Sequence, residues 1–393
     1  MRHYNFAKYL IVNGYEATIF SSSAIHNSKK RIIKDNSKYY CDASEGVPFV
    51  FLKTSNYEGN GIKRVLNMLQ YYFRLLSVAP KFEKPDLIIG SSVHPLACVA
   101  AIKLAKKFKC KCICEIRDLW PESFAAYGIV KKTNPIMKIL YAVEKWIYKK
   151  ADRIIFTMEG GKDYIIHKGW DSEIDLAKVS HINNGVDLPV FFENKEKYQL
   201  DDADLMNPKI FKVVYTGAIS KVNNVRGIID AAQIIQNMGY QNIEFLIYGD
   251  GTEKKSLEKY CHENGIVNVF FKGFVHKNYI PFILTQCNLN IIFFSKSPLI
   301  QFGLSANKLF EYFASGKPTL INIQMKYDLI EKYHCGKSLE DNTTKENLAA
   351  AIIEISAESK TKYLEYCNNA LKAANDYDFK NLTDRLIEIV EKM

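Results

Sequence analysis

The chain has 393 residues, of which 48% are hydrophobic and 24% are charged. This length is ample for two domains, and the composition excludes a disordered, fibrous or low-complexity protein. The net charge of +10 lies in the first half, where residues 1–190 hold 29 Lys and Arg against 18 Asp and Glu. The excess predicts an anionic partner for that half, namely a phosphate-bearing substrate, an anionic membrane or a nucleic acid.

Short apolar strand patterns alternate with longer helical patterns through the first half. Such alternation is typical of βαβ units and parallel sheets, and the continuous apolar runs predict strands covered on both faces. The predicted strands are 17–21, 47–53, 86–90, 111–116, 153–157 and 178–182. The predicted helices between them are 4–13, 62–78, 95–108, 135–149 and 160–168.

A second alternating series begins after residues 191–209, which are polar, acidic and proline-containing and predict a linker. The predicted strands are 211–216, 244–248, 269–272, 289–294 and 318–321, and the predicted helices are 225–238, 253–263, 279–286, 307–314 and 327–333. The chain is helical from about residue 345. We therefore predict an α/β protein with two tandem Rossmann-like doubly wound domains, 1–190 and 210–375. A final helix, 376–393, either continues the second domain or returns to the first.

The cysteine spacing argues against a metal site or a disulfide framework, and the apolar segments argue against a transmembrane helix. The nine cysteines form no CxxC pair or zinc-spaced cluster, and Cys110, Cys112 and Cys114 alternate along a predicted strand. This favours free thiols in a reducing compartment over a metal site or a disulfide framework. The longest apolar stretch, 87–105, is interrupted by His94, Pro95 and Lys103, so no transmembrane helix is predicted.

Ligands of doubly wound folds bind at the carboxyl ends of the strands, so two such domains would present their loops across a cleft. Three loops of the second half have a phosphate-binding character, because glycine allows close approach and helix N-termini attract anions. They contain Gly217, Gly249-Asp250-Gly251, and the segment from Gly303 to Lys308. The second loop lacks the third glycine of a dinucleotide fingerprint, and no P-loop sequence is present.

Five stretches occur in the same order as in one known family. They are Glu115-Ile-Arg-Asp-Leu-Trp-Pro-Glu122, Asn184-Gly-Val-Asp187, Tyr248-Gly-Asp-Gly251, Gly273-Phe-Val275 and Lys308-Leu-Phe-Glu-Tyr-Phe-Ala-Ser-Gly-Lys-Pro318. Together they resemble the retaining GT-B glycosyltransferases of family 4 (GT4), over nearly the whole chain. The resemblance is greatest to the branch of L-fucosamine-type transferases in bacterial O-antigen and capsule synthesis.

The resemblance implies a donor site in the second domain. Glu311 matches the glutamate that binds the ribose hydroxyls, a task that suits a carboxylate because it accepts both hydrogen bonds as charge-assisted ones. The family's other glutamate is replaced by Gly303, so sugar contacts are expected from backbone, Ser305 or Asn307. Lys308 is the expected diphosphate clamp, with a solvated surface lysine as the alternative. The remaining donor candidates are Gly217, Gly249 and Asp250, and the base-reading loop Gly273, Phe274 and Val275.

The family's usual diphosphate-binding Arg and Lys are replaced here by Ala218 and Asn223. In the first domain, Arg117 and Asp118 follow a predicted strand where many relatives have His-Asp. Arg117 is expected to stabilise the leaving phosphate, and Asp118 to orient the acceptor hydroxyl or take its proton. The alternative is a structural ion pair between the two.

The acceptor-side candidates are His94 and Glu122, with structural roles as the alternative for both. No metal ligand set or cofactor is expected, so activity should survive chelators. The stretch 61–82 combines basic with apolar residues and predicts either contact with an anionic membrane or a helix that covers its own sheet. Its basic residues are Lys63, Arg64, Arg74 and Lys81, and its apolar residues are Leu66, Leu69, Tyr72, Phe73 and Leu76.

The implied function is transfer of an N-acetylated amino or deoxy hexose from a UDP-sugar to a saccharide on a polyprenyl diphosphate. The protein would be cytoplasmic and peripheral at the inner face of a bacterial plasma membrane, without nucleic acid as a partner. Residues 1–10 resemble the family's first helix, and the strand and glycine loop that precede it are expected to be missing. Two alternatives stay open: a UDP-sugar 2-epimerase and a non-catalytic binding subunit.

Overall fold

The computed structural model describes residues 2–25, 30–59, 61–92, 94–295, 297–340 and 343–393. The chain forms two compact units. The first comprises residues up to Asn183 together with Leu382–Met393, and the second comprises Asn184–Asn381. The end of the chain thus belongs to the first unit, which is one of the two alternatives that the sequence leaves open for the last helix.

The strands of the first unit form two separate sheets. Strands β4, β5, β6 and β7 are parallel neighbours in that order, whereas β3 lies between parallel β1 and antiparallel β2. The strands are β1 (Ile19–Ser22), β2 (Tyr39–Asp42), β3 (Phe49–Leu52), β4 (Leu87–Ser92), β5 (Lys111–Ile116), β6 (Arg153–Phe156) and β7 (Val179–His181). Within the described residues β1 and β4 are both edge strands, so the two sheets are not joined by hydrogen bonds.

Helices cover these sheets with an apolar layer. Residues of α2 and α3, including Tyr72, Leu75 and Leu104, are buried against Val50 and Leu52 of β3. Proline at the first position starts both α3 and α5, where the missing N–H costs nothing. The helices are α1 (Arg2–Val12), α2 (Ile62–Val78), α3 (Pro95–Phe108), α4 (Glu122–Ala126), α5 (Pro135–Lys150) and α6 (Gly161–His167).

The second unit is built on one parallel sheet with the order β10-β9-β8-β11-β12-β13. The order reverses between β8 and β11, so the loops after these strands diverge and leave a crevice at their carboxyl ends. The strands are β8 (Phe211–Thr216), β9 (Ile243–Tyr248), β10 (Val269–Gly273), β11 (Leu289–Ile292), β12 (Thr319–Ile321) and β13 (Gly336–Ser338).

Helices flank this sheet, and 3-10 turns occur in both units. The helices are α7 (Leu188–Lys197), α8 (Ala203–Met206), α9 (Val225–Asn237), α10 (Lys254–Glu263), α11 (Ile280–Gln286), α12 (Asn307–Ala314), α13 (Leu329–Tyr333), α14 (Lys345–Ser356), α15 (Lys360–Asp376) and α16 (Phe379–Glu391). The 3-10 turns are Ala79–Lys81, Leu176–Lys178, Lys277–Tyr279 and Pro298–Phe302. None of the described helices is long and apolar enough to cross a membrane.

The segment predicted as a linker, 191–209, belongs to the second unit and is largely helical. Helix α7 begins at Leu188, and the Asp202 side chain caps α8 by accepting hydrogen bonds from the N–H groups of Asp204 and Leu205. Phe191 and Leu205 are buried. The prediction of a linker is wrong. Each of these two short helices buries a single apolar residue in this stretch, and one residue is too few to produce the repeating apolar pattern by which a helix is recognised in a sequence.

Glu144 is a buried carboxyl group in the first unit. It lies on α5, is 2% exposed, and accepts hydrogen bonds from the hydroxyls of Tyr148 (2.8 Å) and Tyr164 (3.1 Å). Burial raises the pKa of Glu144 to about 8, although the two tyrosine hydrogen bonds oppose the increase. Between the ordinary glutamate pKa and about pH 8, Glu144 is therefore protonated in the folded protein and ionised in the unfolded chain. The free energy of unfolding falls as the pH rises through this range.

We expect Glu144→Gln to remove most of this pH dependence. Each unit of pKa difference corresponds to about 1.4 kcal/mol, so the wild type should lose a few kcal/mol between pH 5 and 8.5 that the variant retains. Urea unfolding followed by tryptophan fluorescence measures this, since Trp120, Trp146 and Trp170 all lie in the first unit. The exposed Glu83→Gln is the control. Equal pH slopes in the wild type and Glu144→Gln would contradict the prediction.

Candidate functional site

The loops after β8, β9 and β10 contact one another closely through glycines. A Cβ on Gly249, whose φ is +153°, would lie 1.8 Å from the Gly217 carbonyl oxygen. The Gly217 N–H donates to the Tyr248 carbonyl, the Gly249 N–H to the Gly273 carbonyl, and the Gly251 N–H to the Asp250 carboxylate. These three amides are engaged within the protein, so the expected direct role of Gly217 and Gly249 as amide donors to phosphate is not supported.

Lys308 lies on the first turn of α12 beside these loops. Its Nζ is 3.2 Å from the Tyr215 hydroxyl and would be 2.8 Å from a Cβ on Gly217. The residue is half-buried, and no carboxylate pairs with it in the described residues. Burial lowers the pKa of Lys308 to about 8, with the Glu311 charge opposing the decrease. The structure thus places a desolvated ammonium directly over Gly217, rather than the solvated lysine of the alternative.

Glu311 follows Lys308 by one helical turn and is 19% exposed. Its carboxylate forms an ion pair with Lys277, with 2.9 Å between the charged atoms. Lys277 lies in the 3-10 turn after the β10 loop, and its side chain is half exposed. The neighbouring Tyr312 is fully buried and accepts a hydrogen bond from the Thr216 N–H (2.9 Å), which fixes the end of β8 to α12.

The loop before α12 is held by contacts of its own. The Ser305 hydroxyl accepts a hydrogen bond from the Asn184 N–H, and the Asn184 amide donates to the Ser305 carbonyl at 2.7 Å. Gly303 has a φ of +96°, which favours glycine. Asn307 is exposed at the start of α12. Ser305 therefore has a structural partner, which weakens its assignment to the sugar, whereas the Asn307 side chain remains accessible.

The remaining donor candidates lie at the surface of the second unit. Asp250 is exposed, and its carboxylate caps the N–H of Gly251. Phe274 is 76% exposed and Val275 is half-buried, immediately after Gly273. An exposed aromatic ring such as that of Phe274 is able to stack on a planar base.

In the first unit Arg117 and Asp118 follow β5 as predicted, and neither side chain pairs with the other or with another described group. The Arg117 Nε is buried and without a hydrogen-bond partner. The two charges interact, but the described residues show no close ion pair between them, so the structural alternative gains no support. Local burial raises the pKa of Asp118, with Arg117 and Arg64 opposing the increase, although the residue as a whole is exposed.

His94 caps the N-terminus of α3 without a side-chain hydrogen bond, and its ring contacts the Tyr71 ring edge-on. Its Nδ1 is buried and has no partner. Burial, followed by the Arg64 charge, lowers the pKa of His94 to about 4. The imidazole is therefore neutral near pH 7.

Glu122 is not available as an acceptor-side group. It is 5% exposed, and its carboxylate binds Lys132 (2.6 Å), Lys168 (3.1 Å) and the Tyr141 hydroxyl (2.7 Å). Burial opposes ionisation, but these three partners lower the pKa of Glu122 to about 2. The structure assigns this residue to a buried ion network, as in the structural alternative.

A second buried charge cluster was not predicted from the sequence. Arg2 donates from Nε to Glu115 at 2.7 Å and also to the carbonyls of Ile182 and Asn183. Glu115 further accepts a hydrogen bond from the Ser91 hydroxyl (2.6 Å) and contacts His3 (3.3 Å). Burial opposes ionisation of Glu115, but Arg2, His3 and Ser91 lower its pKa well below the usual range. The cluster fixes α1 to the carboxyl ends of β4, β5 and β7.

Two further residues of the donor region were missed as well. Lys277 resembles any exposed lysine in the sequence, and Tyr312 resembles a core aromatic of α12. Only their contacts with Glu311 and Thr216 distinguish them. No group of three or more His, Cys, Asp or Glu residues with metal-binding geometry occurs in the part of the chain that the structure describes, and all nine cysteines are free.

Two α/β units in tandem, each built on a parallel Rossmann-like sheet, define a protein of the GT-B fold. The crystal structure of Anabaena Alr3699/HepE in complex with UDP shares this fold, with a TM-score of 0.63 and 17% identity over 87% of both chains.

Two family models account for nearly the whole sequence. Residues 3–189 match the model "Glycosyltransferase Family 4", and residues 199–374 match the model "Glycosyl transferases group 1". The chain belongs to the GT4 glycosyltransferases of the GT-B fold.

Two curated relatives match part of the chain. A protein named probable glycosyltransferase WbjE, of Pseudomonas aeruginosa, is 21% identical over 66% of this chain and 62% of its own length. A protein whose name assigns it to colanic acid biosynthesis, the glycosyl transferase WcaI of Escherichia coli K12, is 23% identical over 59% of this chain and 56% of its own length. The matched region spans less than two thirds of either relative.

Proposed function

We propose that this protein is a retaining glycosyltransferase that moves a sugar from a UDP-sugar to a lipid-linked saccharide in bacterial surface polysaccharide synthesis. The observation that carries the proposal is the position of Lys308 and Glu311, one helical turn apart on α12, at the carboxyl end of β8. A cation that forms no ion pair within the described residues and a partly exposed carboxylate at this spacing suit a diphosphate and a ribose. The UDP bound to HepE and the naming of WcaI for colanic acid support the donor and the pathway class.

The chemistry follows from these charges. The acceptor oxygen attacks the anomeric carbon from the face on which the sugar–phosphate bond breaks, and the acceptor proton passes to the departing diphosphate. Lys308 stabilises the negative charge that develops on this diphosphate, which is commonly a large electrostatic term in catalysis. Asp118 orients the acceptor hydroxyl. The donor sugar is an N-acetylated amino or deoxy hexose, with Asn307 as its side-chain contact.

The ribose contact provides the sharpest test of the donor. If Glu311 accepts both ribose hydroxyl bonds, 2′-deoxy-UDP should bind the wild type about 10- to 100-fold more weakly than UDP, since a hydrogen bond to a charged group contributes about 1.5–3 kcal/mol. In Glu311→Ala the two ligands should bind alike. Isothermal titration calorimetry measures all four affinities.

Lys277→Met is the control for Glu311→Ala. It removes the ion pair between Lys277 and Glu311 but keeps the Glu311 carboxylate. It should therefore keep the discrimination between UDP and 2′-deoxy-UDP. Equal affinity of the two ligands for the wild type would contradict the ribose assignment.

A preference for GDP over UDP would overturn the assignment of a UDP-sugar as the donor. Release of UDP with an epimerised sugar and no acceptor would identify an epimerase, and UDP-sugar binding without turnover would identify a binding subunit.

The membrane surface is part of the proposal and rests on helix α2. One face of α2, including Tyr72, Leu75 and Val78, is buried in the core, so the helix does cover its own sheet. A second apolar row at helical spacing remains exposed next to basic residues. The exposed apolar residues are Ile62 (80%), Val65 (53%), Leu66 (50%), Leu69 (38%) and Phe73 (64%). The two interpretations of 61–82 thus apply to different faces of one helix.

We expect the wild type to float with vesicles that contain anionic lipid and not with neutral vesicles. Replacing Ile62 and Phe73 by Asp should weaken flotation by more than tenfold, because inserting each large apolar side chain contributes about 1.5–3 kcal/mol. Val267→Asp, which changes an equally exposed residue of the second unit, should have no effect. Flotation that is indifferent to lipid charge or to the double substitution would contradict the membrane assignment.

A further inference from the structure

The Arg117 side chain, at the carboxyl end of β5, forms no ion pair with any acidic residue that the structure describes. The residue is half-buried, and its Nε is buried without a hydrogen-bond partner. A buried donor that remains unpaired costs free energy, which a bound acceptor would recover. The position is therefore prepared for an anion.

The backbone of Arg117 is held on both sides by neighbouring strands. The Ser92 hydroxyl at the end of β4 accepts a hydrogen bond from the Arg117 N–H at 3.2 Å. The Thr157 hydroxyl after β6 donates to the Arg117 carbonyl at 3.3 Å, and Thr157 is fully buried. These bonds fix where the side chain begins, so the unpaired guanidinium is a defined feature of this edge of the sheet.

Two more groups converge on the same loops. Arg64, in the first turn of α2, acts electrostatically on both His94 and Asp118: its charge adds to the burial that lowers the pKa of His94 and opposes the burial that raises the pKa of Asp118. His94 presents a buried, unpartnered Nδ1 and stands at the N-terminus of the 14-residue α3, where the helix dipole favours negative charge. Asp118 adds a carboxylate to the same surroundings, and the Arg117 and Arg64 charges both oppose the burial that raises its pKa.

We infer that Arg117, Arg64 and His94 form an anion site in the first unit that binds the diphosphate of the lipid-linked acceptor. The inference rests on the proposed function and deepens it, because it assigns the acceptor's recognition to named groups. Arginine suits this task because its planar fork donates two parallel hydrogen bonds to phosphate oxygens. This role replaces the one expected from the sequence, in which Arg117 stabilises the donor's leaving phosphate.

Inorganic pyrophosphate titrated into protein saturated with UDP tests the site by calorimetry. We expect a second binding event in the wild type, with pyrophosphate bound more tightly than inorganic phosphate. Arg117→Met and Arg64→Met should each weaken this event at least tenfold and leave UDP affinity unchanged. Arg117→Lys keeps the positive charge but loses the two parallel N–H donors, so its affinity for pyrophosphate should lie between those of the wild type and Arg117→Met. Lys107→Met at the far end of α3 is the control.

Absence of the second event, or an unchanged event in Arg117→Met, would overturn the inference. Equal affinity for phosphate and pyrophosphate would overturn the diphosphate assignment. If UDP itself fails to bind, the proposed donor is wrong, and the titration is then repeated in the Lys308→Met background, where Arg117→Met must still weaken pyrophosphate binding. Thermal unfolding shows whether each variant is folded, so a loss of binding is attributed only to folded protein.

Discussion

Replacing Lys308 by Met is expected to lower kcat/KM for the UDP-sugar by about 10²- to 10³-fold, the range seen when one preorganised electrostatic group is removed from a transition state. Lys308 lies over Gly217 with its Nζ 3.2 Å from the Tyr215 hydroxyl, and no carboxylate among the described residues forms an ion pair with it. A methionine of similar length preserves the packing against Tyr215 but removes the charge. Steady-state kinetics with a radiolabelled donor sugar measures the change.

The pH dependence of UDP affinity gives an independent readout of the same residue. Burial lowers the pKa of Lys308 to about 8, so the free protein loses the ammonium charge above that pH. Affinity of the wild type should fall by up to tenfold per pH unit above about 8, and Lys308→Met should show no such decline. Lys259→Met, in an exposed i,i+4 pair with Glu263, is the control. A pH-independent wild type would contradict the assignment of charge to Lys308.

Replacing Arg2 by Met is expected to destabilise the first unit by about 3–5 kcal/mol, because Glu115 would keep a buried charge without its main counterion. Arg2 is 5% exposed and bonds Glu115 as well as the carbonyls of Ile182 and Asn183. For a unit of this size, 1 kcal/mol shifts Tm by about 2–4 °C, so Tm should fall by about 10 °C. Tryptophan fluorescence follows the unfolding, since all three tryptophans lie in this unit.

The double variant Arg2→Met with Glu115→Gln should recover part of the lost stability, because it removes the uncompensated charge. Lys111→Met is the matched control on the same strand as Glu115, since its pair with Asp152 is exposed and 3.8 Å long. Such surface pairs contribute about 0–1 kcal/mol. An Arg2→Met protein as stable as the control would contradict the role of the cluster.

Buried parallel strands were the most predictable part of the fold. Strands β5 and β8 and helices α2, α3 and α12 begin and end where their patterns place them. A short run of consecutive apolar residues is typical of a strand that is buried on both faces of a parallel sheet, so such strands are easy to predict. Strand β2 was missed because it is a half-exposed edge strand, Tyr39–Asp42, and β13 because it spans only Gly336–Ser338. Short strands whose residues differ in exposure do not show a clear alternation of apolar and polar residues, so the sequence does not reveal them.

The candidate site was predictable in its location and less so in its contacts. The resemblance placed Glu311 and Lys308 together on one helix turn, and the structure adds their surroundings. It could not reveal that the amides of Gly217 and Gly249 are occupied, that Glu122 is enclosed by two lysines and a tyrosine, or that Lys277 pairs with Glu311. Each of these facts depends on a partner that lies far away in the sequence.

The sequence by itself determined the two-unit α/β architecture and the concentration of positive charge in residues 1–190, because periodicity and composition are local properties of the chain. The tertiary structure decided which polar groups are already paired and which remain available to a ligand. Arg2 and Arg117 have the same side chain, yet Arg2 forms an ion pair with Glu115, whereas Arg117 forms none in the part of the chain that the structure describes. Only the fold brings residues 2 and 115 together, and the Coulomb energy depends on that distance.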